Sequence, residues 1–154
     1  MNRVYKLFDS RVEEQMITNV IKALKIDDNI NEKFIIDCAK HLSEKYNKYN
    51  KYTEQTKRFD KDIITAASLS IALKQIDDYS DFIQLKETSR CKYRIWAKAN
   101  SIPIKSYEIP ISVFIYYNSN IPINYHDINK IEYDIMKSTD WTGCSDIIHN
   151  YQKL

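Results

Sequence analysis

A chain of 154 residues, 44% hydrophobic and 29% charged, has the size and balance of one globular domain. About 68–70% of its unfolded surface can be buried without disulfide or metal staples. The formal net charge of +2 is too small to imply a polyanionic partner by itself, and the single glycine, Gly143, where average usage would give roughly eleven, disfavours hairpin-rich β folds and glycine-rich phosphate loops.

The first predicted element opens at Ser10. Ser10-Arg11-Val12-Glu13 reads as a capping box, in which serine oxygen and glutamate satisfy orphan amides reciprocally. Val12, Met16, Val20, Ile21 and Leu24 follow at helical spacing, and Asp27-Asp28-Asn29 ends the helix. A second helix is expected to start near Asn31 with Phe34, Ile35, Cys38, Ala39, Leu42 and Tyr46 on one stripe. The polar run NKYNKYTEQTKR after it reads as a frayed end and loop.

Asp62 to Gln75, DIITAASLSIALKQ, is apolar nearly all round, with Ile63, Ile64, Ala66, Ala67, Leu69, Ile71, Ala72 and Leu73. A helix without a wet face must be surrounded by others, and its alanines let those neighbours come close. Lys74 sits at its end, followed by the acidic Asp77-Asp78. Residues 79–104 give no firm element, although LKETSRCKYRIWAKAN interleaves Lys86, Arg90, Lys92, Arg94 and Lys98 with Tyr93 and Trp96. Pro110 suits the first turn of a helix carrying Ile111, Val113, Phe114, Ile115 and Tyr117, with a strand through SVFIYY as the alternative. After Pro122 a last helix is expected from about Asp127 to Ser138, with Ile128, Ile131, Ile135 and Met136 inward and Trp141 and Gly143 closing it. About five helices in one domain spanning residues 1–154 result, without an internal repeat.

Chemistry-bearing constellations are not found in this pattern. Cys38, Cys91 and Cys144 are far apart and odd in number, which suits reduced thiols, and His41, His126 and His149 share no metal spacing. A nucleophilic reading of Asp37, Cys38 and His41 competes with ordinary packing of Cys38 on an apolar stripe, and packing is the better account. Neither an enzyme nor a cofactor is expected. MNRVYKLFDS has no apolar leader core and no run approaches membrane-spanning length, so an intracellular protein, cytoplasmic or nuclear, without a membrane partner is expected. Heavy use of isoleucine, lysine, asparagine and tyrosine is read as AT-rich coding, as in some large DNA viruses or protozoan parasites.

The order of elements over about residues 10–145 resembles a cyclin box, a five-helix bundle around a buried, alanine-rich third helix. AASLSIALKQIDD, Ala66 to Asp78, resembles the third-helix pattern of small and aliphatic residues ending in Ala-x-Lys and then acids. DINKIEYDIMKSTDW, Asp127 to Trp141, is similar to the fifth-helix pattern, in which a glutamate precedes an aliphatic pair and a tryptophan follows the helix. HLSEKY, His41 to Tyr46, is similar to the family's Leu-Asp-Arg-Tyr, with Lys45 as its basic residue. The resemblance implies a compact all-α bundle, a cyclin-dependent-type kinase as partner, and a charged pair, Lys74 with Glu132, contacting it beside Lys45, Asp77 and Asp78. It also shows departures: one box fits in the chain, the first helix lacks the family's arginine motif, and the span Tyr79 to Lys105 exceeds the usual link between the third and fourth helices.

Two other readings use the same helices. A transcription factor IIB-like box would touch DNA and polymerase through Lys86, Arg90, Lys92, Arg94, Trp96 and Lys98, whereas the plain reading of that stretch is a snorkelling amphipathic surface. A viral or parasite helical adaptor would bind host proteins. For Lys74 the plain alternative is a cation complementing the helix dipole, and for Glu132 a solvated face.

Overall fold

Every residue from Ile63 to Leu73 is buried, and this stretch forms the axis of the molecule. The structure, a computed structural model, describes residues 11–24, 29–53, 61–76, 82–119 and 125–152. It is all-α. Among the described residues seven helices follow one another: α1 (Arg11–Leu24), α2 (Asn29–Thr53), α3 (Lys61–Gln75), α4 (Arg90–Ala99), α5 (Ile111–Ser119), α6 (Tyr125–Ser138) and α7 (Ser145–Gln152). A short antiparallel ribbon joins β1 (Phe82–Gln84) to β2 (Glu108–Pro110).

Helix α3 packs against α1, α2, α5 and α6, the four companions expected of an enclosed rod. Small side chains at Ala66, Ala67, Ser68, Ser70 and Ala72 allow that approach, while Leu69, Ile71 and Leu73 fill the spaces between neighbours. Each fully buried aliphatic contributes about 1.5–3 kcal/mol of transfer free energy. Ser68 keeps its polarity satisfied by accepting from Ser43 of α2 at 2.8 Å. Around this axis lie Met16, Ile17, Val20 and Ile21 of α1, Ile35, Cys38, Ala39, Leu42 and Tyr46 of α2, and Ile128, Ile131 and Ile135 of α6. These are the stripes that helical spacing predicts.

The differences have identifiable causes. Helix α2 continues through NKYNKYT to Thr53, where the sequence suggests fraying, because Tyr46 is fully buried and Tyr49, three residues on, is still half-covered. Once nucleated, a helix adds one hydrogen bond per residue, so that anchor suffices to carry a polar end. SVFIYY is helical, as the first of its two readings has it, and not the alternative strand: Ser112 to Ile115 are all buried, and tertiary burial outweighs β-branched preference. Pro110 ends β2 opposite Phe82 instead of lying in the helical turn, and α5 begins at the next residue. Proline is tolerated there because an edge strand needs no N–H from it. The Ser10–Glu13 capping box, Asp27-Asp28 and Pro122 involve positions outside the described residues.

Residues 82–110 hold the largest unanticipated structure. The ribbon registers Ile83 with Ile109, and the Leu85 amide donates to the Tyr107 carbonyl at 2.7 Å, closing a loop from which α4 projects. Helix α4 turns Tyr93 and Ala97 inward and sets Trp96 against Tyr116 and Tyr117 of α5, at ring distances of 5.2 and 4.9 Å. Helix α7 is the other addition, seated on α2.

With one glycine available, helix ends use other residues in the left-handed region. After α4, Ile102 N–H donates to Ala97 O at 2.9 Å and Ser101 N–H to Lys98 O at 3.3 Å, with Ser101 at φ +56°. After α6, Trp141 N–H donates to Met136 O at 2.8 Å and Asp140 N–H to Lys137 O at 3.1 Å, with Asp140 at φ +53° and Trp141 at φ +68°. Both are Schellman closures built without glycine at their turning positions. The low glycine count therefore did not prevent positive φ; it moved the strain onto serine, aspartate and tryptophan.

Candidate protein-binding face

Two consecutive residues, Lys74 and Gln75, tie the C-terminal end of α3 to α6 and to the turn after it. Lys74 Nζ donates to both carboxylate oxygens of Glu132, each at 3.1 Å, although the residues are 58 positions apart. Their side chains keep 29% and 13% of their accessibility, so the pair is reachable and partly desolvated. It lines a shallow groove of about 300 Å³ between α3 and α6, whose apolar walls come from Ile71 and Met136.

The next residue, Gln75, fastens the turn after α6. Its Nε2 donates to Thr142 O at 3.1 Å, and its Oε1 accepts from Cys144 N–H at 2.8 Å and from Cys144 Sγ at 3.0 Å. Gly143 makes that contact possible, since a Cβ there would lie 2.2 Å from Gln75 Oε1. The turn so held carries Trp141, which meets Tyr133 of α6 edge-on at 5.1 Å and 70°. Tyr133 and Trp141 are 59% and 54% exposed, an aromatic pair facing solvent beside the ion pair. Exposed aromatics next to a half-buried charge pair, on a rigid helix end, are what anchors of protein interfaces are made of.

Of the positions singled out by sequence, Lys74, Glu132 and Trp141 thus come together. Lys45 is exposed on α2 beside His41, and among the described residues no hydrogen bond or ion pair joins it to Lys74 or Glu132. His41 is held below the ordinary histidine value by burial and then by the Lys45 cation, with Asp146 and Glu44 opposing. Asp77 and Asp78 lie outside the described residues. Tyr133 was not picked out by sequence; its place next to Glu132, one position off the buried stripe, was the available signal.

The basic segment separates into two populations. Trp96 and Tyr93 turn inward, while Lys86, Lys92, Arg94 and Lys98 are exposed. Arg90 lies 4.7 Å over the Tyr107 ring and Arg94 donates to the Tyr107 hydroxyl, so one tyrosine holds both guanidinium groups. Among the described residues no group of three or more His, Cys, Asp or Glu side chains is placed to hold a metal ion, and no helix is long and apolar enough to cross a membrane.

Cys38 of α2 and Cys144 are both fully buried and interact through their thiols; that hydrogen bond, then burial, pushes the Cys38 thiol well above its ordinary value. Cys91 is exposed. Since the thiolate is the reactive species, a thiol reagent is expected to titrate one cysteine in the native protein and three after unfolding, with Cys91→Ser removing the native signal.

The fold and this face define an all-α bundle with one enclosed helix that presents an ion pair and an aromatic pair at its end. Comparison with protein-family models, with curated proteins and with solved structures finds no match.

Proposed function

We propose that this chain is a cyclin-like regulatory protein that binds a kinase of the cyclin-dependent type through the α3–α6 face. The observation that carries the reading is the two-pronged contact of Lys74 with Glu132, at the two positions that the resemblance assigns to kinase contact. Enclosure of α3 by four helices supports it, because a rod fixed on all sides holds its terminal charge in a defined place.

The energetics favour an interface over a fold-stabilising role. A part-exposed ion pair contributes only about 0–1 kcal/mol to the isolated chain. When a partner covers it, desolvation raises the value of correctly oriented charges, and complementary potential fixes the register of docking. Tyr133 and Trp141 supply the apolar area that charges lack. Binding would act on the kinase by population shift, to the extent that this face fits one kinase conformation better than others. The chain contributes no reacting group; its work is to hold.

The test is titration of the purified chain against catalytic subunits of cyclin-dependent-type kinases, by calorimetry, with kinase activity followed in parallel. Saturable binding lost in a Tyr133→Ala, Trp141→Ala variant of unchanged helicity supports the reading. Absence of binding across such subunits, or binding indifferent to these changes, sinks it.

A further inference from the structure

Helix α4 packs on the bundle by one face and leaves its opposite face exposed. Its inward residues are Tyr93 and Ala97, with Trp96 against α5. On the outer side stands Ile95, 68% exposed, the most exposed large hydrophobic side chain among the described residues. Its surface neighbours on a helix are the positions three and four away, here Cys91, Lys92, Lys98 and Ala99, and all four are exposed. The helix contains four cations and no acid. With Arg90 and Arg94 held by Tyr107, Lys92 and Lys98 flank Ile95 on either side.

Three kinds of macromolecule could meet a basic face, and the side chains discriminate among them. Single-stranded nucleic acid needs aromatic faces on which bases stack. Here the ring of Tyr93 is buried and that of Trp96 is packed between Tyr116 and Tyr117, so α4 offers cations without a platform. An anionic membrane needs a broad apolar stripe, and one isoleucine supplies far less than lasting attachment requires. A protein segment with an apolar residue between carboxylates matches both features, because it covers Ile95 and neutralises the lysines.

We propose that the outer face of α4 docks an acidic segment of a partner protein, with an aliphatic anchor on Ile95 and flanking carboxylates on Lys92 and Lys98. Six helical positions separate the lysines by about 9 Å. An extended segment rises about 3.3 Å per residue, so its acids stand about three residues apart with the anchor between them. This face is distinct from the α3–α6 face and does not depend on its assignment.

The probe is a fluorescein-labelled decapeptide carrying the pattern acid–leucine–serine–acid, titrated by anisotropy against the full chain at low and at high ionic strength. Binding is expected at low salt and weaker at high salt. Ile95→Asp, and separately Lys92→Glu with Lys98→Glu, should each weaken it by about tenfold or more, the scale of losing one anchor. All these positions are exposed, so circular dichroism and melting should be unchanged, and Lys74→Glu should bind the peptide as wild type does. The proposal is overturned by no peptide binding, by equal binding of a peptide with lysine in place of its acids, or by tighter binding of a deoxythymidine oligonucleotide or of vesicles rich in anionic lipid.

Discussion

Exchanging the two charges, Lys74→Glu together with Glu132→Lys, is expected to leave the fold intact and to abolish kinase binding. In the isolated chain each single reversal puts two like charges where a 3.1 Å ion pair stood. The side chains retain enough solvent to rearrange, so the cost in stability should stay near 1 kcal/mol. The exchange restores an opposite-charge pair across α3 and α6, and melting should return towards the wild-type value. A kinase surface that docks on this face as proposed is, however, complementary to the original order of charges. Burying one misdirected charge costs about 2–5 kcal/mol, or roughly 30- to 5,000-fold in Kd. Melting curves and calorimetric titration of the four chains separate the outcomes. If the exchanged chain binds as tightly as wild type, the pair only ties two helices together and the proposed interface is wrong.

Gly143→Val is expected to be strongly destabilising. Gly143 has φ +61°, a region in which a branched side chain is strained by about 1–3 kcal/mol. Its new Cβ would also lie 2.2 Å from Gln75 Oε1 and 2.7 Å from Cδ and Nε2. Gln75 could move away only by releasing Thr142 and Cys144, at about 1 kcal/mol for each hydrogen bond lost. The sum, about 4–6 kcal/mol, lowers the melting temperature by on the order of 8–24 °C for a chain of this size. Because the same turn carries Trp141, its fluorescence should shift as well. Repeating the change in a Gln75→Ala background isolates the contact: there Gly143→Val should cost only the backbone strain. Equal losses in both backgrounds would show that the Gln75 clamp contributes nothing.

Legibility in the sequence followed the strength of local pattern. Ile63 to Leu73 announced an enclosed helix because no rotation of that segment offers a polar face, and the structure buries all of it. Lys74 at its end and Glu132 on a later helix could be named from a resemblance, and the structure sets them 3.1 Å apart. Helix α4 is not legible in the sequence although Tyr93 with Trp96 and Ala97 has helical spacing, because five cations in the surrounding stretch mask a face only three residues wide. Helix α7 offered less still: eight residues with Ile147 and Ile148 side by side give no stripe.

The sequence by itself determined the helical class, the enclosed α3 and the inward stripes of α1, α2 and α6, since periodicity of apolar residues is a local property that burial reads directly. Only the tertiary structure decided that α2 extends to Thr53, that SVFIYY is helical, that Gln75 holds the Thr142–Cys144 turn and that Tyr133 stands beside Trp141. Each of these depends on partners far along the chain, and the free energy of such a contact belongs to the pair, not to either segment alone.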